Sequence, residues 1–540
     1  MVIIEYISRV FVRIKGSPTT TRKYLQICKA TYNQGRTSHK VVGSLGAIDD
    51  LVSSGEVKKL MLSLNEILAK YDSGQAIQEN LAPVFRELKR YQWGAVKVIE
   101  KLWKIFELDS FLKKQLIGAE FDFKSIVQLL TIDRFMNPRS KLKTYENASR
   151  YLGVEDPDLQ HIYRSLEILS NLKPKLEKHL FDINRKNFGM NVDIVFFDAT
   201  TIYCHSDKED ELRKFGFSKD CKFNDVQVVM GLLMDEEGRP IGFQSFPGNT
   251  FDGKTLLKAL SELKETFQIQ KLIIVGDRAM CNRMNLAAVK EAGYEYIVGS
   301  SIRKQNGEIK KEILNEEGYR TLVKDESNFK FKEIAVNGER LIVSWSADRA
   351  RKDAYDRETL VEKAKEVLEG KSKLRKPGKA KYLKLEEEVK YLDEAKIFSD
   401  SQWDGFYGIL TNVEKDLKSD EEIYDAYHQL WKIEECFRTL KSHLKIRPVY
   451  LRKPERIQGH LVLCFLTFVF ERHLEIELKK QSKWTTPDRL RAAISDLQAS
   501  LVEINQKQYL LRSEIDPHAK TILELLKIPT PQDLTLLSEF

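Results

Sequence analysis

The first regular pattern along the chain is an alternation of apolar and polar residues from Tyr24 to Gly46, centred on Asn33-Gln34-Gly35. Period-two alternation around an Asn/Gly turn predicts a β-hairpin, and residues 1–80 read as a small N-terminal domain. From Tyr91 to about Asn187 the apolar spacing lengthens to three and four, as in Val96, Ile99, Leu102, Ile105 and Phe106, with breaks at Pro138 and Gly153. A helical region over 81–190 follows, with scattered cations that include Arg134, Arg139, Lys141 and Lys143. Between residues 191 and 300 come short apolar runs at Ile194–Phe197, Val228–Met234, Ile241–Phe246, Leu272–Val275 and Tyr294–Val298. Helical stretches, Lys254–Phe267 and Met284–Ala292, separate the last three. Three successive strands and then alternating helices and strands predict an α/β unit with a mixed sheet.

Residues 301–403 break that rhythm. Strand-like pieces at Phe331–Val336 and Arg340–Trp345 lead into a charged helical stretch, Ala354–Lys396. Its core, Lys371–Lys384, holds seven cations around Pro377-Gly378, which suits a solvated face or contact with a phosphate backbone. Residues 404–480 start with a strand, Gly405–Thr411, and a long helix from about Glu421 to Leu444; helices are expected through 481–540. The apolar run Leu461–Phe470 is about half the length of a membrane span and is flanked by charge, so it predicts a buried helix.

Composition narrows the class only a little. Lys and Arg exceed Asp and Glu by 88 − 80 = 8, which permits a polyanion partner without requiring one. The N-terminal residues mix charge into their apolar positions, unlike a secretory signal, so a cytoplasmic protein is expected. Six cysteines lie far apart without paired spacing, which suggests neither a zinc ribbon nor a disulfide framework.

The chemistry gathers around three acids. Asp198 closes the run Val192–Phe197, and Asp277 closes Leu272–Gly276. A single Asp at a strand end is ordinarily a turn former or helix cap, but two in one domain suggest ligands at one sheet edge. On the late helix, Leu430, Ile433, Phe437, Leu440 and Leu444 form an apolar stripe at steps of three and four. Tyr427, Trp431, Glu434, Arg438, Lys441 and Lys445 form a second stripe, centred roughly 100° away at the edge of the core. This geometry predicts a half-covered Glu434 and a solvent-facing Glu435. The plainer alternative is a surface ladder pairing Glu434 with Arg438.

These residues resemble the DDE transposases of bacterial insertion sequences, in the insertion-sequence-four superfamily and the group typified by insertion sequence sixteen thirty-four. The resemblance runs through Asp198-Ala-Thr-Thr, Gly248-Asn249-Thr250 with Thr255, and Gly276-Asp277-Arg278. It continues through Asp404–Asn412, Leu430–Lys441, Arg447–Tyr450 and Ile457–His460, and the hairpin at Tyr24–Gly46 looks like the family's N-terminal piece. Each motif is weak alone, and the ordered set is specific. In that superfamily the third acid sits in the pattern Tyr, two residues, Arg, three residues, Glu, six residues, Lys. Tyr427, Glu434 and Lys441 fit it, whereas Leu430 occupies the Arg position.

The resemblance implies an RNase H-like mixed-sheet catalytic domain (191–300 and 404–480) interrupted by a β-rich insertion (301–403), preceded by the small hairpin domain and the helical region. The step between the second and third acids, 434 − 277 = 157 residues, agrees with an insertion. It further implies catalysis by Asp198, Asp277 and Glu434 holding two Mg²⁺ or Mn²⁺ ions, hard cations that prefer oxygen ligands. Expected DNA contacts are Tyr427, Trp431, Arg438, Lys441, Lys445, Arg278 and Arg447. The expected partners are the terminal inverted repeats and target DNA, met by a homodimer in a synaptic complex, with end recognition in residues 1–190 and no membrane association. Strand transfer would separate this reading from an RNase H-like nuclease. Loss of an acid would mark a non-catalytic DNA-binding descendant, and metal-independent action on a saccharide would indicate a two-carboxylate glycosidase.

Overall fold

A computed structural model describes the chain except residues 1–8, 18–19, 34–35, 55, 72–85, 117–119, 219–220, 251–254, 281, 322–328, 371–380, 387–388, 484, 505–506 and 539–540. The chain divides into two compact units, Met1–Leu88 with Val502–Tyr509, and Lys89–Leu501 with Leu510–Phe540.

In the first unit β1 (Arg9–Ser17), β2 (Thr20–Asn33) and β3 (Arg36–Ala47) form an antiparallel meander, followed by α1 (Ile48–Ser53) and α2 (Glu56–Tyr71). The expected hairpin is β2–β3, in register through Asn33↔Arg36, with the Gln34-Gly35 tip outside the described residues. A further strand, β4 (Arg86–Gln92), contains the division between Leu88 and Lys89.

The second unit opens with the expected helices: α3 (Gly94–Ile105), α4 (Leu108–Gln115), α5 (Phe123–Met136), α6 (Lys141–Glu146) and α7 (Leu159–Phe188). Asp122, Ser140 and Asp158 cap α5, α6 and α7 by accepting backbone N–H bonds, and Gly189 ends α7 in the left-handed conformation that glycine adopts freely. Next come β5 (Ile194–Tyr203), β6 (Gln227–Met234), β7 (Pro240–Pro247), α8 (Thr255–Glu265), β8 (Ile273–Gly276), α9 (Arg283–Glu291), β9 (Glu295–Ser300) and α10 (Gly307–Leu314). They are followed by β10 (Arg320–Thr321), β11 (Phe329–Val336), β12 (Glu339–Ser346), α11 (Ala347–Leu368), β13 (Leu383–Glu386), β14 (Val389–Leu392), α12 (Glu394–Ser401) and β15 (Phe406–Thr411).

Among the described residues one mixed sheet takes nine of these strands, in the order β10-β11-β12-β15-β9-β8-β5-β6-β7. β5, β8 and β9 are parallel, and the remaining pairs are antiparallel. Among the described residues, β10, β11 and β12 of the stretch expected as an insertion extend this sheet, with β12 paired to β15, and the β13–β14 hairpin lies outside it. The Ala354–Lys396 stretch is also not one helix: it divides into α11, that hairpin and α12. Most of its Lys371–Lys384 core lies outside the described residues.

The late segment comprises α13 (Asp420–His428), α14 (Trp431–Arg438), α15 (Pro454–Lys480), α16 (Pro487–Ser495), α17 (Pro517–Leu525), and strands β16 (Gln498–Ile504), β17 (Lys507–Arg512) and β18 (Leu534–Leu536). The expectation of helices alone through 481–540 thus missed three short strands. Helices cover both faces of the sheet, so the central strands are buried on both sides, as near-continuous apolar runs demand. One face packs Ile194, Phe196, Val275 and Ile297 against α13, α14 and α15; the other packs Val195, Phe197, Ile274 and Val298 against α8 and α9. The run Leu461–Phe470 lies inside α15, fully buried, and no helix among the described residues is long and apolar enough to cross a membrane.

Candidate active site

Sheet register sets the two aspartates. β5 and β8 pair in parallel as Ile194↔Ile273 through Phe197↔Gly276, so the next residues on the two strands, Asp198 and Asp277, come level. Neighbouring strands lie about 4.8 Å apart, and level residues on parallel strands project to the same face. That face belongs to Phe196 and Val275, two residues earlier, which pack beneath α13 and α14. β9 continues the row: Gly276 is level with Val298, which puts Gly299 beside Asp277. Both carboxylates are half-buried. Asp198 Oδ1 accepts from the Ala199 N–H at 2.7 Å, and Asp277 Oδ1 accepts from the Ala279 N–H at 2.9 Å. Asp198 does not end its strand, because β5 runs on to Tyr203 along β6; what ends there is the pairing with β8.

The third position in the row carries no side chain, and two tyrosines use the space. A Cβ on Gly299 would lie 2.6 Å from the Tyr427 hydroxyl and 2.8 Å from that of Tyr407. The two hydroxyls hydrogen-bond to each other. Burial first, then Tyr407 and Asp277, push the Tyr427 phenol far above its ordinary pKa. Tyr407 and Gly299 did not emerge from the sequence as site residues; a glycine inside a strand pattern was the signal available for one of them.

The helix predicted over Glu421–Leu444 is interrupted. α13 opens with a capping box in which Ser419 and Glu422 exchange bonds, and it ends at His428. α14 starts afresh at Trp431, and Thr439–His443 forms a π-helical turn. A single helical wheel across all three pieces assigns the wrong exposures. Tyr427 is buried rather than half-covered, Trp431 is 56% exposed, Glu434 is exposed, and Glu435 is the half-buried glutamate of the pair. Cys436 supplies part of the reason. It is fully buried, with its Sγ 3.5 Å from Met234 Sδ, and counting it among the core positions turns the buried arc by roughly 30° away from Glu434. Arg438 pairs at 3.3 Å with Glu435 and not with Glu434, so the alternative of a Glu434–Arg438 ladder is not met.

The flanks of α14 nevertheless differ in what they face. Lys432, on one flank, donates to the Glu236 carbonyl just past the end of β6, level with the start of β5. Glu434 lies about 200° round the helix from Lys432, on the flank away from that end of β5. Among the described residues no three His, Cys, Asp or Glu side chains converge closely enough to hold a metal ion, so Glu434 does not complete a three-ligand cluster with the aspartates.

The cations expected to meet DNA are distributed around this region. Arg278 is exposed directly after Asp277, Arg438 is 69% exposed, and Lys441 is half-buried in the π-turn. Lys445 is exposed, with a left-handed φ of 42°. Arg447 lies over the Tyr203 ring at 5.6 Å, where Val449 bridges Cys204 at the far end of β5.

Comparison with known proteins supplies the family. No curated protein matches the chain. One solved structure with a similar chain is the piggyBac transposase synaptic complex with hairpin DNA, at 10% identity over 74% of this chain and 77% of that one; the TM-score of 0.37 is too low to support any detail. The model of the transposase DDE domain family matches residues 192–470, a span from just before β5 into α15 that includes Asp198, Asp277 and Glu434. Since that match covers more than half of the 540 residues, the chain belongs to the transposase DDE domain family.

Proposed function

We propose that the protein cuts DNA at the ends of a mobile element and joins them to target DNA, using Asp198, Asp277 and Glu434 as its acids in an RNase H-like catalytic core. The observation that carries this reading is the level placement of Asp198 and Asp277 on neighbouring parallel strands within the span matched by the family.

The donor set suits Mg²⁺ or Mn²⁺. Two carboxylates facing the same way from strands about 4.8 Å apart repel each other, and a hard divalent cation offsets that repulsion. Asp198 and Asp277 would hold the ions, and each keeps one oxygen oriented by a backbone N–H. Glu434, exposed and on the flank of α14 away from Lys432, would supply the third carboxylate once the helix or its side chain moves toward the row. When bound, two such ions supply charge stabilisation to the attacking and leaving oxygens of an in-line displacement.

The remaining residues bind and orient. Arg278 and Arg438 would meet phosphate oxygens beside the acids, and Lys441, Lys445 and Arg447 would extend the contact along the strand. Trp431, 56% exposed one turn before Glu434, offers a stacking surface for an unpaired base, with Tyr427 buried behind it. Leu430, standing where the superfamily carries an arginine, leaves one phosphate contact to be met by another residue, and Arg438 is about two turns further along. A homodimer in a synaptic complex, with end binding through residues 1–190, completes the proposal.

Glu434→Gln is expected to abolish cleavage of element-end DNA in Mg²⁺ while end binding, followed by gel shift, persists. Cleavage at the wild-type rate would remove Glu434 from the chemistry. Joining of a labelled 3′ end to plasmid DNA separates a transposase from a nuclease that only cuts.

A further inference from the structure

Away from the acids, a cavity of about 520 Å³ opens between the α5–α6 connection and the segment that follows the π-turn. Five cations line it (Arg134, Arg139, Lys141, Lys445 and Arg447), and no carboxylate does among the described residues. Two of the five are almost wholly buried, Arg134 and Lys141 each being 5% exposed.

These buried cations are arranged differently from an internal ion pair. Arg134 works as a clamp: one terminal nitrogen donates to the Leu444 and Lys445 carbonyls at 3.2 Å, and the other donates to the Arg139 carbonyl at 3.0 Å. It thereby ties the two walls of the cavity together. Lys141 Nζ lies 3.4 Å from His460 Nδ1. Burial, then Lys141 and Arg134, hold His460 well below its ordinary pKa, so it is neutral; with Nε2 donating to the Ile446 carbonyl at 3.1 Å, Nδ1 is left to accept from Lys141. One long bond to a neutral ring is weak compensation for a buried ammonium. Burial and Arg134 push Lys141 down to about 7, so part of its charge is lost while the cavity stays empty of counter-charge. Asp133, an acid whose charge acts on Lys141, is engaged by Arg139 at 3.1 Å and by the hydroxyls of Thr144 and Tyr151. Beyond the Arg139–Asp133 pair, the cavity thus gathers positive charge around the weakly compensated Lys141, which an incoming anion would offset.

Its position indicates which anion. Arg447 stacks over Tyr203, five residues along β5 from Asp198. At about 3.3 Å per residue the cavity wall is about 16 Å from the first acid, the axial rise of about five nucleotides in one strand. We propose that this pocket seats one phosphate of the DNA backbone, contacted by Lys141, Lys445 and Arg447 and held in shape by Arg134. The proposal rests on the transposase reading above for the identity of the polyanion, but not on the assignment of Glu434.

The test compares wild type with Lys141→Met and Lys445→Gln, using the full chain and a 30-base-pair duplex of arbitrary sequence. Binding is followed by fluorescence anisotropy at several KCl concentrations. Each variant is expected to weaken binding and to lower the slope of log K against log[salt] by about one, the signature of one lost phosphate contact. Lys445→Gln alters an exposed side chain, so it carries the test if Lys141→Met fails to fold. Unchanged affinity and slope in the variants would overturn the proposal. A thermal shift by inorganic phosphate that disappears in Lys141→Met, without any change in the DNA slope, would assign the pocket to a free anion and overturn it equally. Glu434→Gln, followed by cleavage of element-end DNA, keeps the two readings apart: full cleavage by that variant would sink the catalytic assignment, while the salt slopes of the lysine variants would still decide the pocket.

Discussion

The sheet-borne acids and the helix-borne acid are held by different kinds of structure. Asp198 and Asp277 inherit their positions from a hydrogen-bonded ladder in which every residue from Ile194 to Phe197 has a fixed partner. Glu434 sits on an eight-residue helix, with a break before it and a π-turn after it. A ladder fixes both the level and the facing of a side chain, whereas a short helix between two irregular turns fixes its facing only through what packs beneath it. The difference teaches that two of the acids are preorganised by backbone geometry, while the third depends on the packing of Ile433, Cys436 and Phe437 under α14.

The largest effect that would test this contrast is Asp198→Asn. If the acids hold metal, strand cleavage in Mg²⁺ should fall by about a thousandfold or more, corresponding to several kcal/mol of lost transition-state stabilisation. The sheet should stay intact, because the Ala199 N–H can still bond to the amide oxygen. Near-wild-type cleavage would dissolve the comparison altogether.

An intermediate effect is expected from Gly299→Ala, which probes the row on its β9 side. The added Cβ would collide with the Tyr427 and Tyr407 hydroxyls, and relieving the overlap should cost about 1–3 kcal/mol of stability by chemical denaturation. Wild-type stability would mean that the tyrosines yield without cost and do not brace α13 over the sheet.

The smallest effect, and the one that sharpens the choice between neighbouring glutamates, is Glu435→Gln. It breaks the partly exposed pair with Arg438, so stability should change by about 1 kcal/mol or less, and cleavage should remain close to wild type. A cleavage defect equal to that of Glu434→Gln would exchange their roles.

Much of the sheet was legible in the sequence because both its faces are buried. The runs at Val228–Met234, Ile241–Phe246, Tyr294–Val298, Phe331–Val336 and Arg340–Trp345 all correspond to strands, within two residues at either end. Strand partners were not legible, since apolar runs of this kind carry no mark of their neighbours; that β11 and β12 join the main sheet through β15 could not be read from them. Asp198 and Asp277 could be singled out because a carboxylate following an apolar run interrupts the pattern. Placing Glu434 failed at the level of exposure. The wheel assumed one unbroken helix, and neither the restart after Gln429-Leu430 nor the π-turn at Thr439–His443 has a proline or glycine to announce it. Omitting Cys436 from the apolar stripe compounded the error. The cations of the pocket were visible one by one, as Arg134, Arg139 and Lys141 on one side and Lys445 and Arg447 on the other. Their meeting depends on a contact spanning 310 residues, the bond from Arg134 to the Leu444 carbonyl, which local pattern cannot reveal.

β8 has only four residues, and its brevity sets which changes of length the protein can absorb. Residues gained or lost in the connections at 207–213 and 266–271 leave the level of the two acids unchanged, since neither belongs to the β5–β8 pairing. One residue inserted between Ile273 and Gly276 would instead turn Asp277 through the sheet, toward α8 and α9, and leave Asp198 alone on its side. The strand therefore serves as a gauge of fixed length in a chain whose loops are free to vary.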